Sequence, residues 1–217
     1  MSPAAPKEVF TVVNAEYLAS GDNLPSYDLP EFAFAGRSNV GKSSLLNALI
    51  QRRGLVRTSK HPGATRKVNL FRAELKDHGA FCFADLPGYG FANRSKTERS
   101  EWKESLERYL MERKDLCGVL SLVDARRGPE EEELELLEFL QQREGLATIH
   151  VITKLDKLPK SAQKPALAEI TKRLGGRAVG TSAETGEGVP TIWRWMIRQS
   201  ASTEDDASDE GVDTSET

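Results

Sequence analysis

Residues 36–43 read Gly36-Arg37-Ser38-Asn39-Val40-Gly41-Lys42-Ser43, and the reading of this octapeptide decides the fold. It fits the pattern G-x-x-x-x-G-K-[ST]. The apolar run Phe32-Ala33-Phe34-Ala35 precedes it, and the helical run Ser44-Leu45-Leu46-Asn47-Ala48-Leu49-Ile50 follows it. A strand, a glycine-bounded loop and a helix N-terminus together make a cradle for phosphate. The glycines let the backbone curl around phosphate oxygens with N–H groups pointing inward, and the helix dipole adds a favourable field. In such a loop Lys42 reaches the β- and γ-phosphates, and Ser43 offers its hydroxyl to Mg²⁺. A chance match would lack this flanking context, so a nucleotide-phosphate site is expected here.

Working outward, short apolar runs alternate with longer amphipathic stretches. Strands are expected at 31–35, 67–75, 80–85, 118–124, 147–153 and 177–181, and helices at 42–51, 95–114, 130–144, 161–174 and 189–200. In 130–144, Leu134, Leu136, Leu137, Phe139 and Leu140 make an apolar face with acids opposite, and Pro129 before a run of Glu suits a helix start. Only residues 76–79 join the second and third strands, too few for a crossover helix, so that pair forms an antiparallel hairpin. The expected fold is α/β of the P-loop NTPase type. It has a six-stranded, mostly parallel sheet with one antiparallel strand at its edge and helices on both faces.

Further chemistry sits at the ends of the other strands. Asp85 closes the run Phe81-Cys82-Phe83-Ala84 and is followed by Leu86-Pro87-Gly88. An aspartate before Pro-Gly is by itself a turn former. Beside a phosphate loop it reads as the acid that holds Mg²⁺ through water, with the Gly88 N–H placed to meet the γ-phosphate. Thr153-Lys154-Leu155-Asp156 follows the apolar run Ile149-His150-Val151-Ile152, and Thr181-Ser182-Ala183 follows the last strand. Alone, each reads as a solvated loop.

Taken in order, GRSNVGKSSLLN (36–47), PGATR (62–66), DLPGYGFA (85–92), TKLD (153–156) and TSA (181–183) closely resemble the EngB (YihA/YsxC) family of bacterial GTP-binding proteins, over roughly residues 10–200. That family belongs to the TrmE-Era-EngA-EngB-septin-like GTPases. The resemblance implies that Asp156 reads guanine, its two oxygens accepting the N1–H and the 2-amino group, which adenine does not offer. Lys154 would lay its alkyl stem along the base, and Ala183 would meet guanine O6 through its backbone N–H, with Ser182 shaping that loop. Gly63, Ala64, Thr65, Arg66 and Lys67 would join the nucleotide site. Thr65 would ligate Mg²⁺ only when a γ-phosphate is present, beside Ser43, with Asp85 acting through water. Residues 54–66 and 86–99 would be the two switches. Where the usual GTPase pattern has Asn, this chain resembles its family in having Thr153. That side chain is shorter, which leaves open whether it tethers the phosphate loop.

Tyr89 stands where Ras-like enzymes place a water-orienting glutamine. No catalytic side chain is therefore named, and slow intrinsic hydrolysis is expected, with a partner or another group completing the site. Asn39 matches an asparagine of potassium-activated relatives, which makes K⁺ a candidate ion beside Mg²⁺. The plain reading of Asn39 as a loop stabiliser stays open. The resemblance further implies a GTP-controlled switch on the large ribosomal subunit, binding its RNA and protein during assembly, whose loss impairs cell division and septation. Two alternatives stand: a P-loop phosphotransferase on a small substrate, and a GTPase acting directly on septum formation.

The chain has 217 residues with 33 acids and 30 bases. Seven of the acids and none of the bases lie in 201–217, which leaves 26 acids against 30 bases in residues 1–200. The body is mildly basic. The expected organisation is a flexible N-terminus at 1–9, a GTPase domain at 10–200 and a disordered acidic tail at 201–217. Residues 51–76 hold eight bases (Arg52, Arg53, Arg57, Lys60, Arg66, Lys67, Arg72, Lys76) and the single acid Glu74. This is either an RNA-binding patch or a solvated basic face. No run approaches the roughly 18–20 apolar residues of a bilayer span. The opening MSPAAPKEVF lacks a basic start followed by an apolar run, so no signal peptide is expected. Cys82 and Cys117 read as buried, reduced thiols. A cytoplasmic monomer without membrane insertion is expected. Trp193 and Trp195 read as core.

Overall fold

Burial at every position of the strand Glu31–Gly36 marks it as the centre of a sheet covered on both faces. The computed structural model describes residues 9–56, 67–88 and 96–209. Its elements run β1 (Val12–Gly21), β2 (Glu31–Gly36), α1 (Lys42–Leu49), β3 (Val68–Leu75), β4 (Gly79–Asp85), α2 (Lys96–Glu112), β5 (Leu116–Asp124), α3 (Glu131–Leu140), β6 (Ala147–Thr153), α4 (Lys160–Leu174), β7 (Ala178–Gly180) and α5 (Val189–Asp209). The sheet order is β1-β3-β4-β2-β5-β6-β7.

The sheet has seven strands, one more than expected. β3 runs antiparallel to both β4 and β1, so β3 is the one strand opposed to the rest. It is not the edge; β1 covers it. The sequence hides β1 for a physical reason. Val12 is buried, but most of the positions that follow along the strand are exposed or half-buried, and its register slips twice against β3. An edge strand with so little buried surface carries no clean two-residue alternation.

Alternation along the other strands sends side chains to two cores. On one face Phe32, Phe34, Phe81, Phe83 and Leu120 meet α1 and α5. Trp193 is fully buried there among Phe10, Phe81 and Phe83, and Trp195 packs edge-on against Phe32. On the other face Ala33, Ala35, Cys82 and Val119 meet Leu106 and Leu110 of α2 and Leu136 and Leu140 of α3, while Ile170 of α4 closes a third cluster against Val123 and Ile152. Helices therefore cover both faces, as expected. Neither cysteine forms a disulfide among the described residues; Cys82 is buried and Cys117 only half-buried.

Two boundaries differ from the sequence reading by more than two residues. α3 ends at Leu140, short of the expected 144, where the chain turns at Gln141–Arg143. α5 continues to Asp209, so much of the stretch expected to be disordered from Ala201 is helical. No glycine or proline interrupts the chain between Pro190 and Gly211, and a helix already nucleated by its buried tryptophan face propagates at little cost through Ala201, Ser202 and Thr203. None of the described helices is long and apolar enough to cross a membrane.

Candidate nucleotide-binding site

The phosphate loop leaves β2 at Gly36 and enters α1 at Lys42, at the carboxyl edge of the parallel strands where open α/β sheets hold ligands. Its conformation needs its residues. Gly41 takes φ 113°, open to glycine and strained for any other residue, and Asn39 sits at φ 61°. A side chain at Gly36 would press within 3.0 Å of Leu122. The Arg37 carbonyl accepts the Val40 N–H at 3.2 Å, and the Gly41 carbonyl accepts the Leu45 N–H at 2.9 Å. Two further carbonyls are taken by the end of β6 and the turn after it. Thr153 Oγ1 donates to the Val40 carbonyl at 2.6 Å, and the Lys154 ammonium donates to the Asn39 carbonyl. The threonine does tether the loop: the strand end comes close enough that the shorter side chain suffices.

Lys42 and Asp85 are both buried beside the loop, at 8% and 2% exposure. Burial pulls the Lys42 ammonium below its ordinary value, with Asp85 opposing, and pushes the Asp85 carboxyl up to about 6, with Lys42 opposing. Asp85 Oδ1 is buried and has no hydrogen-bond partner among the described residues. An orphaned carboxylate oxygen next to a hydroxyl-bearing loop suits a hard, hydrated cation. Among the described residues no three His, Cys, Asp or Glu side chains cluster as a metal cage. That donor set fits Mg²⁺, which keeps waters and takes most of its other ligands from phosphates, and does not suit a structural metal. Gly88 packs so closely on the loop that a Cβ there would stand 3.0 Å from the Ser38 nitrogen. The Asp85–Gly88 turn is therefore in direct contact with the phosphate loop. Gly63, Ala64, Thr65, Arg66 and Tyr89 lie outside the described residues.

The base side is a pocket of about 360 Å³ lined by Gly41, Leu45, Lys154, Asp156, Thr181 and Ala183, among others. The Lys154 stem borders it while its ammonium passes on to the loop. A single 3-10 turn, Leu155–Lys157, presents Asp156. A hydrogen bond from the Ser182 side chain, and the nearby Lys157 at 3.0 Å, hold the Asp156 carboxyl below its ordinary range against its partial burial. It stays ionised and able to accept two bonds. The Thr181 N–H donates to the Ile152 carbonyl at 2.7 Å, and the Leu155 N–H to the Thr181 carbonyl at 3.0 Å, so the two loops that bound the pocket are bonded to each other. Leu155 itself turns inward to the core, as do Val40 and Leu86. Lys67 lies away from the pocket lining, 3.7 Å from Asp22.

Two neighbours, Asp124 and Glu133, escape the sequence reading, and Arg37, read there as part of the phosphate loop, has a partner that the sequence does not show. Asp124 accepts from Lys154 at 2.9 Å and from Arg126 at 2.7 Å. Arg37 leaves the loop backwards to meet Glu130, with Glu132 at 3.8 Å, at the start of α3. Glu133 accepts the Glu130 N–H at 2.9 Å, and burial pushes its carboxyl up to about 7. The one sequence signal for Asp124 is its place at the end of an apolar strand, the same as that of Asp85.

A phosphate loop, a buried acid and a base pocket on one sheet edge define a P-loop nucleotide-binding protein of the GTPase class. The comparisons with known proteins agree. The family model described as "50S ribosome-binding GTPase" matches residues 31–154. "Probable GTP-binding protein EngB" of Exiguobacterium sibiricum is 41% identical over 194 residues, 86% of this chain and 98% of that one. A crystal structure of a probable GTP-binding protein engB superposes with a TM-score of 0.58 at 27% identity, covering 78% of this chain and 99% of that one. Era, solved with MgGDPNP and part of 16S ribosomal RNA, superposes with a TM-score of 0.66 at 26% identity, covering 78% of this chain and 56% of that one. The chain belongs to the EngB family of GTP-binding proteins.

The raised carboxyl of Asp85 has a signed consequence. The folded state holds a proton there up to about pH 6, whereas an unfolded aspartate releases it near pH 4. The folded state thus binds more protons in that window, and stability falls as pH rises through it. Asp85→Asn should stabilise the nucleotide-free protein above pH 6, by on the order of 2 kcal/mol. The gain should vanish near pH 4. Chemical denaturation of both proteins across pH 4–8 measures it.

Proposed function

We propose that this GTPase is a guanine-nucleotide switch that acts on the large ribosomal subunit during its assembly. The carrying observation is Asp156, an ionised carboxylate in a pocket that opens onto the phosphate loop through Gly41 and Leu45. Its two oxygens suit the N1–H and 2-amino group of guanine, and adenine has no such pair. In this reading residues 36–43 wrap the phosphates, Lys42 neutralises their charge, and Ala183 faces O6. Ser43, Thr65 and, through water, Asp85 hold Mg²⁺; Era, a structural neighbour, was solved with MgGDPNP. Gly63, Ala64, Thr65 and Arg66 join the nucleotide site, and Leu86, Pro87 and Gly88 belong to it on the γ-phosphate side. The family description names 50S binding, and the eight bases in the sequence of 51–76 suit contact with RNA phosphates. The protein acts in the cytoplasm as a monomer, and effects on division and septation follow from its ribosomal task.

Fluorescent GDP should be displaced by GDP and GTP but not by ATP in the presence of Mg²⁺. Asp156→Asn should weaken GDP at least tenfold, the loss of a charged, bidentate acceptor. Equal displacement by ATP would point instead to a P-loop phosphotransferase.

Co-sedimentation checks the partner. The protein loaded with a non-hydrolysable GTP analogue should pellet with 50S subunits, and much less should do so with GDP. Equal pelleting in both states would remove the switch.

K⁺ is the second proposed ion, placed by Asn39 beside the phosphates. Phosphate release should be slow in Na⁺ and several-fold faster in K⁺, and Asn39→Ala should abolish the difference. Equal wild-type rates in the two salts leave Asn39 as a loop residue only.

A further inference from the structure

Asp124 ends β5 beside the phosphate loop, lining a cavity with Asn39, Val40 and Lys154, and none of the nucleotide-binding motifs read above includes it. Its side chain is 8% exposed and carries two cations. Lys154 Nζ donates to Oδ2 at 2.9 Å. Arg126 grips both oxygens, Nε to Oδ1 at 2.9 Å and Nη2 to Oδ2 at 2.7 Å, and its backbone N–H reaches Oδ1 at 3.0 Å. Burial alone would raise this carboxyl; the hydrogen bonds from Arg126 and Lys154 overcome it and hold the group well below the usual carboxylate range.

The second acceptor of the Lys154 ammonium is the Asn39 carbonyl in the phosphate loop. Both ends of this link are backbone that an ordinary residue avoids, φ 58° at Lys154 and φ 61° at Asn39. With Asp124 on one side and Asn39 on the other, the ammonium has a fixed place between two acceptors. Without Asp124 it keeps one neutral carbonyl, in competition with water, and a four-carbon stem regains its rotamers. We propose that Asp124 is a positioning residue for nucleotide binding. It fixes Lys154 so that one side chain borders the base pocket and pins the phosphate loop at Asn39. This rests on the guanine-nucleotide reading above. Asp124 also forms a turn, its carbonyl accepting from Arg127 and Gly128 at 3.0 Å. That role belongs to the backbone and survives replacement of the carboxylate.

The test is a double-mutant cycle on the full chain, reading affinity and dissociation rate of fluorescent GDP in wild type, Asp124→Asn, Lys154→Ala and the double variant. Asp124→Asn should weaken GDP about tenfold, mainly through faster dissociation, the loss expected for one charge-assisted hydrogen bond. The double variant should bind within about twofold of Lys154→Ala alone, because the carboxylate acts through that lysine. Losses that multiply in the double variant, or Asp124→Asn binding like wild type, overturn the proposal. A general weakening of the fold would act equally in both lysine backgrounds, so the cycle separates it from positioning. If Asp124→Asn does not fold, Asp124→Ser, still a turn former, enters the same cycle with the same two readings. Wild type failing to bind fluorescent GDP would overturn the guanine reading itself, a result distinct from any outcome among the variants.

Discussion

A loop can turn its N–H groups toward a phosphate only if its carbonyls turn away and find donors elsewhere. That constraint organises the site edge of this molecule. Each backbone unit between Gly36 and Lys42 that points an N–H inward sends a C=O outward into protein, where an unmet acceptor is costly. Two of the carbonyls are met locally, by Val40 and Leu45 N–H groups. Two more, of Val40 and Asn39, are met from residues more than a hundred positions away, by the Thr153 hydroxyl at the end of β6 and the Lys154 ammonium just after it. The end of β6 is thus both a wall of the base pocket and the support of the phosphate loop. A residue at 153 needs only a donor of the right reach, and the hydroxyl of threonine supplies it.

The buried charges follow from the same geometry. Lys42 and Asp85 are both buried beside the phosphate loop and lose water, each partly stabilising the other; in the proposed site the lysine would lie under the phosphates and the aspartate would face the metal. Anionic phosphates and a divalent cation would relieve both, which links ligand affinity to the cost of the empty site. At the start of β2 the burial of a charge is compensated. Glu31 at the start of β2 is 1% exposed, but Arg113 holds it at 2.8 Å and Tyr109 donates to it, while Arg113 also donates to the Leu24 and Pro25 carbonyls at 2.9 and 2.8 Å. This network is structural and fixes the C-terminal end of α2 at the edge of the sheet opposite the site.

What was legible in the sequence was what is local. The strand–loop–helix around Gly36–Ser43, the hairpin 67–85 and the acids at 85 and 156 are set by neighbours in the chain, so their patterns read directly. β1 was not legible, because an edge strand is held by pairing to β3 and buries too little to alternate. The helical course of residues 201–209 was hidden by their polarity; an acidic composition says what a segment cannot bury, and a helix extended from a packed neighbour need bury nothing. The pairings of Asp124 with Lys154 and of Arg37 with Glu130 join residues distant in sequence, and the residue type of Asp124 alone is that of any solvated loop.

Strand pairing also explains why two segments far apart in sequence would respond to one phosphate. The chain between α1 and β3 is anchored at both ends: Asn47 holds Val56 with both halves of its amide, at 2.8 and 3.1 Å, and Val68 opens β3. The segment after β4 starts at Leu86, whose N–H donates to Phe34 at 3.2 Å, and reaches Gly88 against Ser38. The near ends of both segments meet at one rung of the hairpin, Asn69 opposite Asp85. A ligand that draws Asp85 and Gly88 toward the phosphate loop acts on the strand end from which the other segment departs. The antiparallel strand β3 is therefore more than an exception in a parallel sheet. It brings the end of one segment to the beginning of the other, and a crossover helix in its place would have set them on opposite sides of the domain.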